Sequence, residues 1–261
     1  MNKVCMVTLS PQGVKVLEKL KARMPEAEYY VHEKVEAPGW AKAFDKVVDL
    51  TKRIWERCDG LVYVAPCGAV TRAVAPLAQV KTTDPAVVVV DVGGRWAVSL
   101  LSGHEGGANE LALEVANAIG AEPVISTTTE AARNLIVGVG MRRGRPAADI
   151  MEAVKHALDE ERLGLENVRT LASVDIKSDE LGLLEAARLL GLPLRFIESD
   201  EIRNSFREFD HSEFVWNEVN LPAVAEPCAL LAGRRTTLIL KRKIYSGVTV
   251  AVARENCSSL E

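Results

Sequence analysis

The chain has 261 residues, of which 48% are hydrophobic and 26% charged, and its formal net charge is −4. That length suits two ordinary domains or one large one, and that composition belongs to a packed globular protein, which excludes long disordered tails. The acidic balance excludes general binding to nucleic acid or to anionic membranes, both of which need a basic surplus.

The segment Met1 to Leu9 is too short and too soon interrupted for a signal peptide. No apolar run approaches the ~20 residues needed to cross a bilayer, so a soluble, cytoplasmic protein is expected. The five cysteines, Cys5, Cys58, Cys67, Cys228 and Cys257, form no C-x-x-C pair. They suggest neither a disulfide framework nor a zinc site; Cys5 reads as a small core residue and the thiols as reduced.

In chain order, Val4 to Leu9 predicts a strand, and Pro11 opens a helix through Val14, Val16, Leu17 and Leu20. A second helix is expected over Trp40 to Arg57, with Phe44, Val47, Val48, Ile54 and Trp55 on its apolar face. Leu61 to Ala65 predicts a strand. Ala86 to Asp91 contains four consecutive valines, as in a strand covered on both faces. Gly93-Gly94 turns into Trp96 to Leu101, a hairpin partner. A helix from Ala108 to Ile119 ends at Gly120, and Pro123 to Ile125 is a short strand. This is a flavodoxin-like, doubly wound α/β pattern.

The pattern restarts with a strand at Asn134 to Val139. Pro146 opens a helix carrying Ile150, Val154 and Leu158. Strands follow at Thr170 to Val174, Leu194 to Ile197, Thr237 to Leu240 and Val248 to Ala253, with helices over Asp179 to Leu190 and Glu226 to Ala232. The stretch Asn204 to Asn220 has no clear period. Two α/β domains are expected, 1–130 and 135–261, with the boundary near Thr129 to Asn134.

Three segments resemble the CbiG family. Lys81-Thr82-Thr83-Asp84-Pro85 runs into the valine strand ending at Asp91. Ser99-Leu100-Leu101-Ser102-Gly103-His104-Glu105-Gly106-Gly107-Ala108-Asn109-Glu110-Leu111-Ala112 follows, and together they are similar to the family's N-terminal domain. Gly138-Val139-Gly140-Met141-Arg142-Arg143-Gly144, continuing through Ala172 to Glu180, resembles the C-terminal domain shared with CobE proteins, as do Leu240 to Lys243 and Val248 to Arg254. The chain departs from the pattern in three places. Thr127-Thr128-Thr129 passes almost directly into the Gly138 strand where relatives carry a middle segment. Met141 stands where cysteine is common, and the turn Cys67 to Arg72 differs from the usual start.

The resemblance implies hydrolysis of the ring-A δ-lactone of cobalt-precorrin-5A, in the early-cobalt route to cobalamin, with loss of acetaldehyde. Cobalt would enter with the substrate, so no protein-held cofactor or metal is expected. The expected partners are the tetrapyrrole, other enzymes of the route and a second copy of the chain. A non-catalytic corrinoid carrier is the alternative, favoured by the missing middle segment.

The residues themselves allow two readings at most positions. The Ser102–Asn109 segment joins a strand to a helix N-terminus, which favours a carboxylate or oxyanion. His104 is there either a general base or a helix cap, and Gly106 and Gly107 offer N–H donors or merely tight packing. Glu110, one turn from Glu114, is an acid–base candidate or a solvated face. Lys81 and Thr82 suit an anionic substrate, whereas Asp84 before Pro85 equally makes a turn. Ser102, Gly103 and Asn109 complete the candidate substrate contacts in this half.

In the second half, Arg142, Arg143 and Arg145 form a carboxylate site or a solvated loop. Gly138 and Gly140 line the same strand–turn, which resembles a variant dinucleotide loop but lacks the later acidic residue. Lys177 and Glu180 share that face, and Asp175 suits a turn. His32, His156 and His211 read as surface residues.

Overall fold

A computed structural model describes residues 3–210 and 213–257, so His211 falls outside the described residues. In the first unit the apolar runs become β1 (Val4–Thr8), α1 (Pro11–Arg23), β2 (Glu28–His32), β3 (Lys42–Phe44), α2 (Val47–Trp55) and β4 (Gly60–Val64). Then come α3 (Cys67–Val74), β5 (Ala86–Val90), β6 (Trp96–Leu101), α4 (Ala108–Ile119) and β7 (Glu122–Val124). Every position of β1, β4 and β5 is buried, as expected of strands covered on both faces.

The seven strands form one sheet in the order β3-β2-β1-β4-β5-β6-β7. Neighbours are parallel except at β5–β6, which pair antiparallel. The order is flavodoxin-like around β1, with β3 added at one edge and the reversed β6 inserted before β7. Alternate strand residues feed two cores. Met6, Val62 and Val88 pack with Leu17 of α1 and Leu111 of α4, while Val7, Leu61 and Val89 pack with Leu50 of α2 and Val70 of α3.

Three expectations are corrected here. The helix expected from Trp40 begins only at Val47, because Lys42–Phe44 pairs in parallel with Tyr30–His32, a strand that went unrecognised. Cys67–Val74, expected as a turn, is helical. Cys5 and Cys58 are joined as a disulfide, although 53 residues separate them, so the expectation of five reduced thiols fails. Cys5 on β1 and Cys58 beyond α2 both sit in the second core, and Cys67, Cys228 and Cys257 are free.

The second unit begins at Thr128. It contains α5 (Thr128–Ala131), β8 (Leu135–Met141), α6 (Ala147–Glu160), β9 (Val168–Val174), α7 (Leu181–Leu190), β10 (Leu194–Ile197) and α8 (Ser199–Arg203). After these come α9 (Glu213–Val219), α10 (Ala225–Leu231), β11 (Thr236–Tyr245) and β12 (Val248–Glu255). Its five-stranded sheet has the order β10-β9-β8-β12-β11, with β8, β9 and β10 parallel and the β11–β12 hairpin antiparallel to them. Helices α6 and α7 cover one face, and α10 the other. Helix α9 occupies part of the stretch that had no readable period, and β11 runs on through the basic Lys241 to Lys243.

No helix among the described residues is long and apolar enough to cross a membrane.

Candidate active site

Because β6 runs against β5, it ends at the sheet edge where β5 begins. The loop leading into β5 and the loop leaving β6 therefore meet. Lys81 Nζ lies 2.7 Å from Glu105 Oε1, and this bond is the first cause holding the Glu105 carboxyl below its usual range. A Cβ on Gly106 would sit 2.3 Å from Ser102 Cβ and 3.3 Å from Asp84 O, so only glycine lets the loops close to this distance. Asp84 accepts from the N–H groups of Gln79 (2.7 Å) and Val80 (2.9 Å), so its carboxylate closes its own turn. Thr82 is exposed beside it.

Helix α4 starts from Gly107, held at φ +82°, with no side-chain cap. His104 is thus not the cap; it stands exposed in the turn before the helix. The loop satisfies part of the first turn itself, since Ser102 O accepts from Ala108 N–H (3.1 Å) and Gly103 O from Asn109 N–H (2.9 Å). The Asn109 amide is engaged at both its oxygen and its nitrogen. Its Oδ1 accepts from Ser99 Oγ (2.8 Å) and its Nδ2 donates to Thr127 Oγ1 (2.9 Å), tying α4 to β6 and to the segment after β7. Ser102 is buried at φ +59°, and its hydroxyl finds no hydrogen-bond partner among the described residues. Glu110 points to solvent on the first turn of α4, and Glu114 is exposed one turn on. The structure brings together His104, Lys81, Glu105, Ser102 and the backbone of Gly106 and Gly107. Asn109 holds this arrangement in place.

In the second unit the carboxyl ends of β8 and β9 gather the basic loop. Arg143 donates to Asp179 Oδ1 (2.9 Å) and to Ile176 O (2.7 Å). Buried Glu180 accepts from Gly144 N–H (2.8 Å), with Arg143 and Lys177 each 4.0 Å from its other oxygen. Desolvation pulls the Lys177 ammonium below the usual lysine range, and the Glu180 charge opposes that. Arg142 is exposed. Arg145 bonds Asp149 (3.2 Å), and Asp175 accepts from its neighbour Ile176 N–H (2.9 Å) and from Ser199 Oγ. The expected open arginine cluster is largely an internal ionic network.

Gly138 and Gly140 are corrected as ligand-loop glycines. A Cβ at Gly138 would stand 1.9 Å from Ala225 O, and one at Gly140 3.2 Å from Val224 Cβ. Close packing of α10 on β8 requires glycine at 138 and leaves little room at 140.

A second feature escaped the sequence. At the carboxyl ends of β1, β2 and β3 a cavity of about 560 Å³ is lined by Leu9, His32, Lys34, Asp45, Lys46 and Val48. His32, expected on the surface, is half-buried with its ring edge-on to Phe44 at 5.5 Å. The run Tyr29-Tyr30-Val31 was the available signal, since aromatic and β-branched residues favour strands. No group of three His, Cys, Asp or Glu residues able to hold a metal occurs among the described residues.

Comparison with known proteins gives matches along most of the chain. The family model for the cobalamin synthesis G N-terminal region matches residues 49–130, and that for the cobalamin synthesis G C-terminus matches residues 135–253. A cobalt-precorrin-5A hydrolase from Priestia megaterium is 25% identical over 350 aligned positions, covering 95% of this chain and 93% of the relative. A protein of the same name from Salmonella typhimurium is 35% identical over 127 residues, covering 49% of this chain and 36% of its own length. Protein CobE from Sinorhizobium sp is 30% identical over 128 residues, covering 48% of this chain and 83% of CobE.

Proposed function

The chain belongs to the CbiG family of cobalamin-synthesis proteins, and from that premise we propose that it hydrolyses the ring-A δ-lactone of cobalt-precorrin-5A. The observation that carries the reading is the meeting of the Lys81 and Glu105 loops around an exposed histidine beside a helix N-terminus. His104 takes a proton from water, and the resulting hydroxide attacks the lactone carbonyl. The N–H groups of Gly106 and Gly107 are the proposed donors to the oxyanion. Collapse breaks the ring C–O bond and frees a carboxylate and a hydroxyl. The hydroxyl then loses its proton to solvent as its carbonyl forms, the carbon–carbon bond to the macrocycle breaks with the bonding pair staying on the macrocycle, and the fragment leaves as acetaldehyde, giving cobalt-precorrin-5B.

Lys81 and Thr82 are proposed contacts for the macrocycle's carboxylates. Cobalt is part of the substrate, and no resident cofactor is proposed. We place the protein in the cytoplasm, where enclosure of Cys5 would shield its disulfide from thiol exchange.

A second reading is supported by one observation. The Priestia alignment runs over 350 positions against 261 residues here, so that relative carries segments this chain lacks. On that basis the protein would carry a corrinoid intermediate without transforming it. Anaerobic incubation with the lactone, trapping acetaldehyde, separates the two. A hydrolase releases one acetaldehyde per lactone consumed; a carrier binds the lactone and releases none.

A further inference from the structure

Lys177 and Glu180 take no part in the reaction proposed above. Lys177 closes a short 3₁₀ turn, Asp175–Lys177, that follows β9, and Glu180 stands directly before α7. Both therefore lie at the carboxyl edge of the second sheet, where open α/β sheets gather their ligands. The loop leaving β8, the parallel neighbour of β9, folds onto the same edge. A Cβ at Gly182 would stand 1.9 Å from Arg145 O, so the start of α7 presses directly on that loop. Gly144 N–H donates to Glu180 Oε1 (2.8 Å) across the same junction. Lys177 is largely enclosed there, with its side chain 12% exposed.

The amine is enclosed but not satisfied. Glu180 Oε2 is 4.0 Å from Lys177 Nζ, beyond hydrogen-bond reach, and Lys177 makes no hydrogen bond to any other described residue. An ammonium carries three donors, and an enclosed structural lysine spends them on carbonyl or carboxylate oxygens. Among the described residues, the one side-chain polar atom both wholly enclosed and unpartnered is Ser102 Oγ, so the unpartnered Lys177 amine keeps an opening to solvent. Arg143 Nη1 stands 4.0 Å from the same Glu180 oxygen and is committed to Asp179 and to Ile176 O. Desolvation outweighs the Glu180 charge, and Arg143 adds to it, so the ammonium sits below the usual lysine range. A desolvated lysine beside a second cation is the arrangement that turns an amine into a nucleophile. Arg143, Asp179 and Glu180 together leave one negative charge facing it, which suits an iminium cation and gives no grip on an anionic ligand.

We propose that Lys177 is a nucleophilic amine that takes a small, uncharged aldehyde as an imine, with Glu180 carrying the protons. The neutral amine attacks the carbonyl carbon, and the carbonyl oxygen takes up a proton to give a carbinolamine. Glu180 receives the proton lost by Nζ and returns it to the hydroxyl, which departs as water as the C=N bond forms. One aldehyde and one amine give one imine and one water, with no change of oxidation state.

Incubation of the full chain with acetaldehyde and cyanoborohydride, followed by peptide mass mapping, tests this. Cyanoborohydride delivers hydride to the iminium carbon and fixes the adduct as an N-ethyl lysine. At pH 7 Lys177 should be ethylated at least about 10-fold faster than the exposed Lys155 of the same unit, because more of its amine is neutral. Lys177→Arg should remove the fast site and leave labelling of Lys155 as it was. Glu180→Gln keeps an acceptor for Gly144 N–H but cannot carry a proton, so labelling of Lys177 should slow by at least about 10-fold. Labelling of Lys177 no faster than that of Lys155 overturns the proposal. So does an undiminished rate in Glu180→Gln with a wild-type melting curve. The readout is the label itself, so it stands or falls separately from lactone hydrolysis.

Discussion

Lys81 Nζ and Glu105 Oε1 lie 2.7 Å apart and join two loops separated by 24 residues in sequence. Both side chains are exposed, so the bond adds little to folding, as solvated pairs generally do. Its effect is to fix where the loop carrying His104 stands. Lys81→Ala should leave the melting temperature unchanged and lower acetaldehyde release by about 10-fold, the order of loss that small misplacements of reacting groups produce. Unchanged release in this variant would remove the loop contact from the reaction.

Glu28 gathers Lys3, Lys42 and Arg57 around one carboxylate in the first unit. The Tyr30 hydroxyl (2.6 Å) and then the Lys42 ammonium (2.9 Å) hold its pKa down at about 2, from an ordinary value of 4.5. A depressed carboxylate pKa stabilises the fold fully above the unfolded value, and that contribution fades as pH falls from about 4.5 to about 2. The side chain is 23% exposed, so screening reduces the contribution to about 1 kcal/mol. In urea melts between pH 7 and pH 3, the gap between wild type and Glu28→Gln should therefore narrow as pH falls below about 4.5. A constant gap across that range would contradict the linkage.

Gly138 tests whether its strand serves packing or a ligand. With Ala225 O at 1.9 Å from an added Cβ, Gly138→Ala must push α10 off β8. It should destabilise the second unit by about 1–3 kcal/mol, the usual cost of overpacking. Wild-type stability with altered ligand binding would instead restore the loop role.

Much of this was legible in the sequence, for identifiable reasons. The four valines of β5 and the 3.6-residue period of α4 declare themselves locally, and the two-unit organisation follows from the restart of the pattern. Strand β3 does not declare itself. Trp40, Phe44, Val47, Val48 and Trp55 fall at helical spacing, and only pairing with β2 makes Lys42–Phe44 extended. The cavity over those strands was hidden with them. The basic loop was visible as three arginines, but capture of Arg143 by Asp179, 36 residues on, is a tertiary fact. The partnership of Cys5 with Cys58 is another, since spacing alone never fixes connectivity.

Ser102 is a residue the fold maintains at a cost. A φ of +59° costs a residue with a Cβ about 1–2 kcal/mol. Its enclosed hydroxyl, lacking a partner among the described residues, costs about 1–3 kcal/mol more. Glycine removes both penalties, so Ser102→Gly should raise the melting temperature by a few degrees even after the entropy cost of glycine. If the hydroxyl serves the site, acetaldehyde release should fall in the same preparation. A variant that is both more stable and fully active would show that Ser102 has no role in turnover.

His104 separates catalysis from carriage most sharply. It is exposed, contributes no cap to α4, and lies one residue from the Lys81–Glu105 bond and two from Gly106. Because the residue is exposed and does not cap the helix, His104→Ala should melt with wild type. General acid–base help is worth about 10²–10⁴ in rate, so acetaldehyde release in single turnover should fall by that factor. Lactone affinity should stay near wild type, since the proposed Lys81, Thr82 and backbone contacts remain. His104→Gln keeps a hydrogen-bonding group but cannot take up the proton, so it should be as slow as alanine. If the glutamine variant instead restores the rate, the imidazole positions water without accepting its proton. Wild-type turnover in the alanine variant would end any part for this side chain in the chemistry.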